Sequence, residues 1–316
     1  MSAALSLNTS AVDIDSKDAV ARHTRKMGII MMMTAYLFFS MLDSSAKWLG
    51  HDLPPLETAW ARYAGASLIA LAMVNPFKHR NVLKTSALGL QIVRSVALFI
   101  STLANFLALR HLQLSQTVSI AFSLPLIVAL LAGPMLSEWV GPRRLAAIGV
   151  GFLGILVVTR PGLGGFQPAM LLCFVATLCG ALYNIWTRQL ASRDSWQTTL
   201  TYSSLLGTVI LTATLPFWWV WPHGALEWSI MILPGFAGAV GHYFIIEAHR
   251  RAPAAVLAPF VYTQIVWMVA IGYVVFGDVP SLWTLGGGAI VISSGLYLWY
   301  RERVVKVVPT LTKLTA

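Results

Sequence analysis

Residues 27–49 read MGIIMMMTAYLFFSMLDSSAKWL, an apolar run in which charge appears only near the end, at Asp43 and Lys47. A helix needs about 20 apolar residues to cross a hydrocarbon core of roughly 30 Å. Residues 1–26 before the run are polar, and the apolar run itself lacks a small-residue cleavage site. The stretch therefore indicates an uncleaved first membrane span and not a removable signal peptide.

The composition of the whole chain extends this interpretation. The chain has 316 residues, of which 57% are hydrophobic and 11% are charged, whereas soluble proteins have roughly 25% charged residues. Its apolar runs contain scattered glycine, proline and small residues, without the polar alternation of a membrane β-barrel. We therefore predict one all-α membrane domain.

Apolar runs bounded by charges or by Pro and Gly breaks predict ten transmembrane helices. They cover residues 27–49, 55–75, 88–109, 113–135, 143–159, 168–188, 196–219, 228–248, 254–276 and 282–300. Lys and Arg concentrate at both ends of the chain and in the connections after even-numbered spans, whereas the other connections hold only Arg110 and Arg160. Because cytoplasmic loops are rich in Lys and Arg, both termini, residues 1–26 and 301–316, are predicted to be cytoplasmic tails in a bacterial-type inner membrane.

The two halves of the chain show a weak internal similarity. One offset relates Ala108 to Ala248, Arg110 to Arg250 and Glu138 to Asp278. Five spans per half is an odd number, so the second copy must cross the membrane in the opposite orientation. We predict two inverted five-helix repeats, 27–160 and 161–300, an arrangement typical of secondary transporters that bind solute between the repeats near the bilayer midplane.

Three segments carry a family resemblance. They are DSSAKW at 43–48, ETAWAR at 57–62, and the stretch 137–162, which contains EWVGPRR and ends in RPG. In these segments the chain resembles the ten-span EamA-type permeases of the drug/metabolite transporter superfamily. The resemblance implies ten helices around a central cavity, alternating access and no ATP-hydrolysing machinery, and the sequence contains no Walker-type phosphate-binding motif. The second half departs from the pattern after Asp278, where Val-Pro-Ser and the triple glycine 286–288 follow.

Charged residues inside spans are the first candidates for solute binding or gating. Each costs roughly 2.5–3.5 kcal/mol to insert, so those that remain usually face the bundle interior or water. Asp43, Arg62 and Arg94 are in this position. Asp43 can pair with Lys47 one turn away, or with Arg62 at a similar depth, so a structural ion pair and a gate or solute contact both remain open.

Polar and aromatic residues deep within spans form the second group of candidates. Arg94, Ser101 and Asn105 share one face of the third span, which must contact a neighbouring helix or a cavity because such a face is improbable against lipid. The second half contributes Tyr183, Asn184, His242, Tyr262, Gln264 and Trp267. His242 is either hydrogen-bonded packing or a proton carrier, and Trp267 can stack on a planar ligand.

These features predict a transporter of a small organic metabolite. A membrane enzyme is disfavoured because the chain has no Gly-x-Ser-x-Gly, His-Glu-x-x-His or paired glutamate motif. No cofactor or metal is expected, since the chain has only 2 cysteines and they lie on different helix faces. The net charge of +10 is explained by cytoplasmic loops, so the expected partners are a solute and the lipid bilayer, not nucleic acid. Glycine clusters leave a homodimer open.

The identity of the solute is the least determined part of the prediction. The candidate residues include arginine, amides and aromatic rings but few uncompensated acids. This combination favours uptake of a planar, neutral or mildly anionic vitamin such as riboflavin. The alternative is efflux of amino acids or related metabolites.

Overall fold

The computed structural model describes residues 2–74, 83–136, 141–160, 165–190, 193–252 and 257–304, and these contain helices but no strand. The α-helices are α1 (Ser2–Leu49), α2 (Pro55–Val74), α3 (Leu88–Leu109), α4 (Leu114–Ala121), α5 (Leu124–Leu136), α6 (Pro142–Thr159), α7 (Ala169–Leu190), α8 (Trp196–Thr214), α9 (Ala225–Arg251), α10 (Gln264–Phe276) and α11 (Leu282–Val304). Short 3-10 turns cover Leu215–Phe217 and Ala258–Thr263. The predicted all-α class is confirmed over the described residues.

Every predicted span contains helix, and 6 of the described segments are long and apolar enough to cross a membrane. These are His23–Leu49, Leu88–Leu109, Leu114–Leu131, Ala169–Thr187, Gln197–Phe217 and Ala225–Ile245. Shorter apolar helices cover Leu145–Thr159, Phe260–Phe276 and Leu282–Tyr297. The chain is thus a multi-pass helical membrane protein, while the count of ten spans and the orientation of the termini stay predictions. The polar segment 1–26 continues the first span as helix from Ser2.

Two spans are broken where proline interrupts the helical hydrogen bonding. The fourth span divides into α4 and α5 at Phe122 and Ser123, directly before Pro125. Proline has no backbone N–H to donate, and its ring clashes with the preceding turn. The ninth span begins as the 3-10 turn Ala258–Thr263, which also contains a proline. The two breaks meet, because the Phe122 and Tyr262 rings pack edge to face with centroids 5.0 Å apart.

The helix pairings are those that two halves related by a two-fold axis would make. A two-fold axis would relate the helices of the first half to those of the second in chain order, namely α1, α2, α3, α4 and α6 to α7, α8, α9, α10 and α11. The pair α1·α9 would then correspond to α3·α7, α2·α9 to α3·α8, and α1·α10 to α4·α7. Each of these pairs is present, as are the self-matched pairs α2·α8, α4·α10 and α6·α11. This pattern supports the predicted repeat. Glu138, the first-half member of one matched pair in the sequence, lies outside the described residues.

An ion pair joins the halves at one end of the bundle. We call the end with connections 50–54 and 277–281 the outer end, following the predicted topology, and the opposite end the inner end. The Lys47 Nζ lies 2.6 Å from Asp278 Oδ2 and donates to the Leu112 carbonyl oxygen at 3.2 Å. The local pair between Lys47 and Asp43, which the sequence left open, is not formed because Lys47 is directed towards Asp278.

At the inner end, Asp194 fastens one connection to another. Its carboxylate accepts hydrogen bonds from Thr85, from Gln91 and from the backbone and hydroxyl of Ser86. Burial alone would raise the pKa of Asp194, but these hydrogen bonds outweigh burial and hold the pKa below its ordinary value. The contribution of this contact to stability is therefore present above the pKa that the group has in the unfolded chain. It is lost only as the pH falls through the lowered folded-state pKa.

Glycines allow close approach of α6 and α11. A Cβ atom placed on Gly287 would lie 2.6 Å from the Gly154 carbonyl oxygen, and one on Gly154 would lie 2.8 Å from the Gly287 carbonyl oxygen. Backbone contacts of this kind replace the hydrophobic driving force that is missing between helices in lipid. The neighbouring Gly286 differs, because a Cβ atom there would meet nothing within 4 Å.

We therefore expect Gly287→Leu to lower the thermal stability of the purified protein by several degrees, because over-packing of this kind costs about 1–3 kcal/mol. The measurement is the fraction of monodisperse protein that remains after heating in detergent. Gly286→Leu is the matched control and should behave like the unmodified chain. Equal behaviour of the two variants would contradict the assigned α6·α11 contact.

Candidate functional site

Two adjoining cavities occupy the middle of the bundle. The inner cavity, of about 250 Å³, lies among α2, α3, α7, α8 and α9. The outer cavity, of about 280 Å³, is lined by residues of α1 to α5, α7, α9 and α10. Arg62, Leu98 and His242 line both cavities and so form the junction between them. Both predicted repeats contribute to this junction, since α2 and α3 lie in the first half and α9 in the second.

Side chains of α1 and α3 provide the polar wall of the outer cavity. Asp43 lines this cavity, and its Oδ1 accepts a hydrogen bond of 2.9 Å from the Asn105 amide. Ser101 also lines it while donating to the Ala176 carbonyl oxygen at 2.8 Å, a bond that joins α3 to α7. The predicted polar face of the third span therefore does meet a cavity at Leu98, Ser101 and Asn105.

The guanidinium of Arg62 is held by two neighbours at the junction. It donates a hydrogen bond from Nη1 to the Thr102 hydroxyl and lies 5.1 Å from the centroid of the Tyr63 ring. The Tyr63 and Thr102 hydroxyls are themselves 3.0 Å apart. Arg62 and Asp43 line the same cavity but form no ion pair with each other. The direct ion pair that the sequence allows between them is thus not formed, and their part in gating or solute contact stays a prediction.

The imidazole ring of His242 lies at the junction of the two cavities. Its imidazole packs edge to face on Phe39, with ring centroids 5.0 Å apart. Over the described ranges, neither ring nitrogen has a hydrogen-bond partner in the protein. The same holds for the side-chain amide of Gln264, which lines the outer cavity. Both groups can therefore donate to or accept from a solute.

Arg94 lines neither cavity, although it shares a helical face with Ser101 and Asn105, which line the outer cavity. It is only 2% exposed, and it donates to the Thr187 hydroxyl at 2.6 Å, the Tyr183 hydroxyl at 2.9 Å, the Ser203 hydroxyl at 2.9 Å and the Thr199 carbonyl oxygen at 3.2 Å. Its guanidinium also lies 4.4 Å from the centroid of the Tyr183 ring. Tyr183 and Ser203 line the inner cavity, so Arg94 supports that wall from behind while fastening α3 to α7 and α8.

Three further candidates lie away from the two cavities. Asn184 is exposed on α7 and donates to the Gly180 carbonyl oxygen of its own helix at 2.8 Å. Tyr262 is buried against Phe122 at the helix breaks. The indole N–H of Trp267 is buried without a partner in the described part of the chain. Depth along a span, which was the signal for these residues, does not determine which way a side chain faces.

Other residues in the cavity walls were not selected from the sequence. Thr102 was identifiable in principle, because it lies three residues before Asn105 and so near the polar face of α3. Tyr63 and Phe39 line the cavities as well, but an aromatic residue in an apolar span carries no signal that separates it from packing. Among the described residues, no group of three His, Cys, Asp or Glu side chains is arranged to hold a metal ion.

Comparisons with known proteins agree with this architecture. A sequence model of the EamA-like transporter family matches residues 26–160 and 167–300. An S-adenosylmethionine uptake transporter of Rickettsia felis is 28% identical over 284 residues, which cover 90% of this chain and 96% of that protein. A riboflavin transporter of Vibrio cholerae is 30% identical over 278 residues, covering 86% and 93%. A solved crystal structure covers 88% of this chain and 98% of its own, with a TM-score of 0.61 at 17% identity, and so shares the fold.

The different environments of Arg62 and Arg94 lead to different expectations for their glutamine variants. Arg94→Gln should lower the thermal midpoint and the yield of folded protein, because hydrogen bonds to a charged group contribute about 1.5–3 kcal/mol each and several are lost. Arg62→Gln should retain most of the folded yield, because only Thr102 and Tyr63 hold its guanidinium in the described part of the chain. The measurement is monodisperse protein after heating, and a larger loss for Arg62→Gln would contradict these roles.

Proposed function

This chain belongs to the EamA-like transporter family, and we propose that it takes up a heterocyclic metabolite of nucleoside or flavin size by alternating access. It is a multi-pass transporter of the bacterial inner membrane, like the transporters of Rickettsia and Vibrio to which it is similar. The two cavities support the proposed solute class and its path through the protein.

One observation carries the proposal, namely that the two cavities meet at Arg62, Leu98 and His242. A site shared by two repeats near mid-membrane is where secondary transporters bind solute, and rocking of one repeat against the other then exposes the site to each side in turn. Arg62 and His242 come from different repeats, so relative movement of the halves would change the distance between them. Solute bound at the junction would therefore couple to that movement.

The cavity walls suit a planar heterocycle. Tyr63, Tyr183 and Tyr243 line the inner cavity, and aromatic rings stack on planar partners with about 0.5–1.5 kcal/mol beyond the burial of area. The hydroxyl groups of Ser203 in the inner cavity and Thr102 in the outer cavity add polar atoms to the walls. The two cavities together reach the range of about 300–1,000 Å³ that is usual for ligand pockets.

S-adenosylmethionine and riboflavin, the solutes named for the relatives, are both heterocyclic and both remain candidates. The sequence favours riboflavin only if nearly every acidic residue in the cavity is paired with a positive charge. Lys47, one possible partner of Asp43, pairs with Asp278 instead, and Arg62 forms no ion pair with Asp43. This change in the charge pattern removes the reason for preferring a neutral or anionic solute.

The test is uptake of radiolabelled S-adenosylmethionine and of radiolabelled riboflavin, each assayed separately, into proteoliposomes that contain the purified chain. We expect one of the two to accumulate above protein-free liposomes. His242→Phe should keep the edge-to-face contact with Phe39 but reduce the rate about tenfold or more, the effect of losing one hydrogen bond of roughly 1.4 kcal/mol to the solute.

Asn184→Ala is the matched control, because this residue is exposed on α7 and hydrogen-bonded within its own helix. Its uptake rate should equal that of the unmodified chain. Absence of uptake of both solutes by folded, correctly inserted protein would contradict the proposal of a heterocyclic solute. A normal rate for His242→Phe would place the path away from the junction.

A further inference from the structure

The outer cavity is lined by two opposite charges that form no direct ion pair with each other. Asp43 and Arg62 are the only charged residues among the described ones that line this cavity. We propose that they bind the α-amino-acid group of the solute, with the ammonium at Asp43 and the carboxylate at Arg62. This inference rests on the proposed function and narrows its solute class to heterocyclic metabolites that carry a zwitterionic amino-acid group.

Other charged groups near the cavities already have partners. Lys47 pairs with Asp278 at the outer end. Glu247, which lines the inner cavity, pairs with Arg251 one turn away on α9. An isolated charge away from water is costly unless it is paired, so Asp43 and Arg62 are the two cavity charges for which a solute can provide the partner.

Helix α3 holds the two charges apart. The Asn105 amide donates to Asp43, while Thr102, one turn earlier on α3, accepts a hydrogen bond from Arg62. Each partner is uncharged and therefore fixes a side chain without neutralising it. Both charged groups are thus oriented before a solute arrives, which reduces the entropy lost on binding.

The remaining hydrogen-bonding capacity matches an amino-acid group. A guanidinium has five N–H donors, and the described hydrogen bonds of Arg62, to Thr102 and Tyr63, leave several of them unused. The planar fork that remains is suited to bidentate binding of a carboxylate. On Asp43, Asn105 occupies one oxygen, and the second oxygen is left to accept from an ammonium group.

The junction then determines where the rest of the solute lies. Because Arg62 lines both cavities, a carboxylate on its guanidinium lies at the boundary between them. The heterocycle can extend past His242 into the inner cavity, which is lined by Tyr63 and Tyr183. A solute without the amino-acid group would occupy the aromatic cavity alone and would leave Asp43 without an ion-pair partner.

A matched pair of probes tests this inference. S-adenosylhomocysteine and 5′-methylthioadenosine are both adenosine thioethers, but only the first carries an amino-acid group. Competition with bound radiolabelled S-adenosylmethionine gives the affinity of each for the purified protein. We expect S-adenosylhomocysteine to bind at least about tenfold more tightly than 5′-methylthioadenosine, because the second compound lacks at least one charge-assisted hydrogen bond.

Two variants assign that difference to particular side chains. Asp43→Asn and Arg62→Gln should each weaken S-adenosylhomocysteine about tenfold while changing 5′-methylthioadenosine by less than about twofold. Asn184→Ala serves as a control, because Asn184 is exposed on α7 and lines neither cavity. Direct binding of radiolabelled 5′-methylthioadenosine provides the reference wherever a variant no longer binds S-adenosylmethionine.

The outcomes separate this inference from the proposed function. Equal affinities of the two probes for the unmodified chain would overturn the zwitterion inference without use of any variant, as would variants that weaken both probes equally. Riboflavin or 5′-methylthioadenosine carried independently of Asp43 would leave the proposed function intact and refute only the inference. Failure of folded protein to bind or carry any of these compounds would overturn both.

Discussion

Hydrocarbon offers no hydrogen-bond partners, so a charged side chain inside a span is costly unless it finds a partner in the protein or in a cavity. This constraint sorts the intramembrane charges of the chain into two groups. Arg94 is fully enclosed by hydroxyl and carbonyl oxygens of α7 and α8, and Lys47 closes on Asp278. Asp43, Arg62 and His242 retain free polar atoms, and these three residues line the cavities.

The same constraint explains how the helices pack. Where no water is displaced between helices, close backbone contact must replace the hydrophobic effect, and Gly154 and Gly287 bring α6 and α11 together in this way. The helix breaks at α4–α5 and before α10 are tolerated because they pack on each other through Phe122 and Tyr262. Irregular backbone of this kind is expected in membranes only where protein or a cavity covers it.

The two ends of α3 have different roles, one in helix packing and the other in the candidate binding site. Towards its inner end Arg94 fastens the helix to the second half, and towards its outer end Thr102 and Asn105 hold two charges in open positions. The part of the helix that is bonded to α7 and α8 thus supports the part that can meet a solute. Arg94 acts on the cavity through Tyr183 and Ser203, whose side chains form its wall, and is a positioning residue in this arrangement.

The sequence by itself determined the class of the protein. Apolar runs of span length predicted that the chain lies in a lipid bilayer and folds entirely into helices. The motif segments around Asp43, Arg62 and Arg160 indicated the family. The polar face of the third span was also visible, because 3.6 residues per turn places Leu98, Ser101 and Asn105 on one side of any helix.

Only the tertiary structure decided which partner each of these residues has. Lys47 could reach Asp43 one turn away, but it bonds Asp278, a residue far along the chain. Asn184 and Trp267, like His242, lie inside predicted spans and yet miss the cavities, because rotation of a helix about its axis depends on its neighbours and not on its own sequence alone. A counter-charge or a cavity wall is a property of several helices at once, and helical periodicity describes one helix at a time.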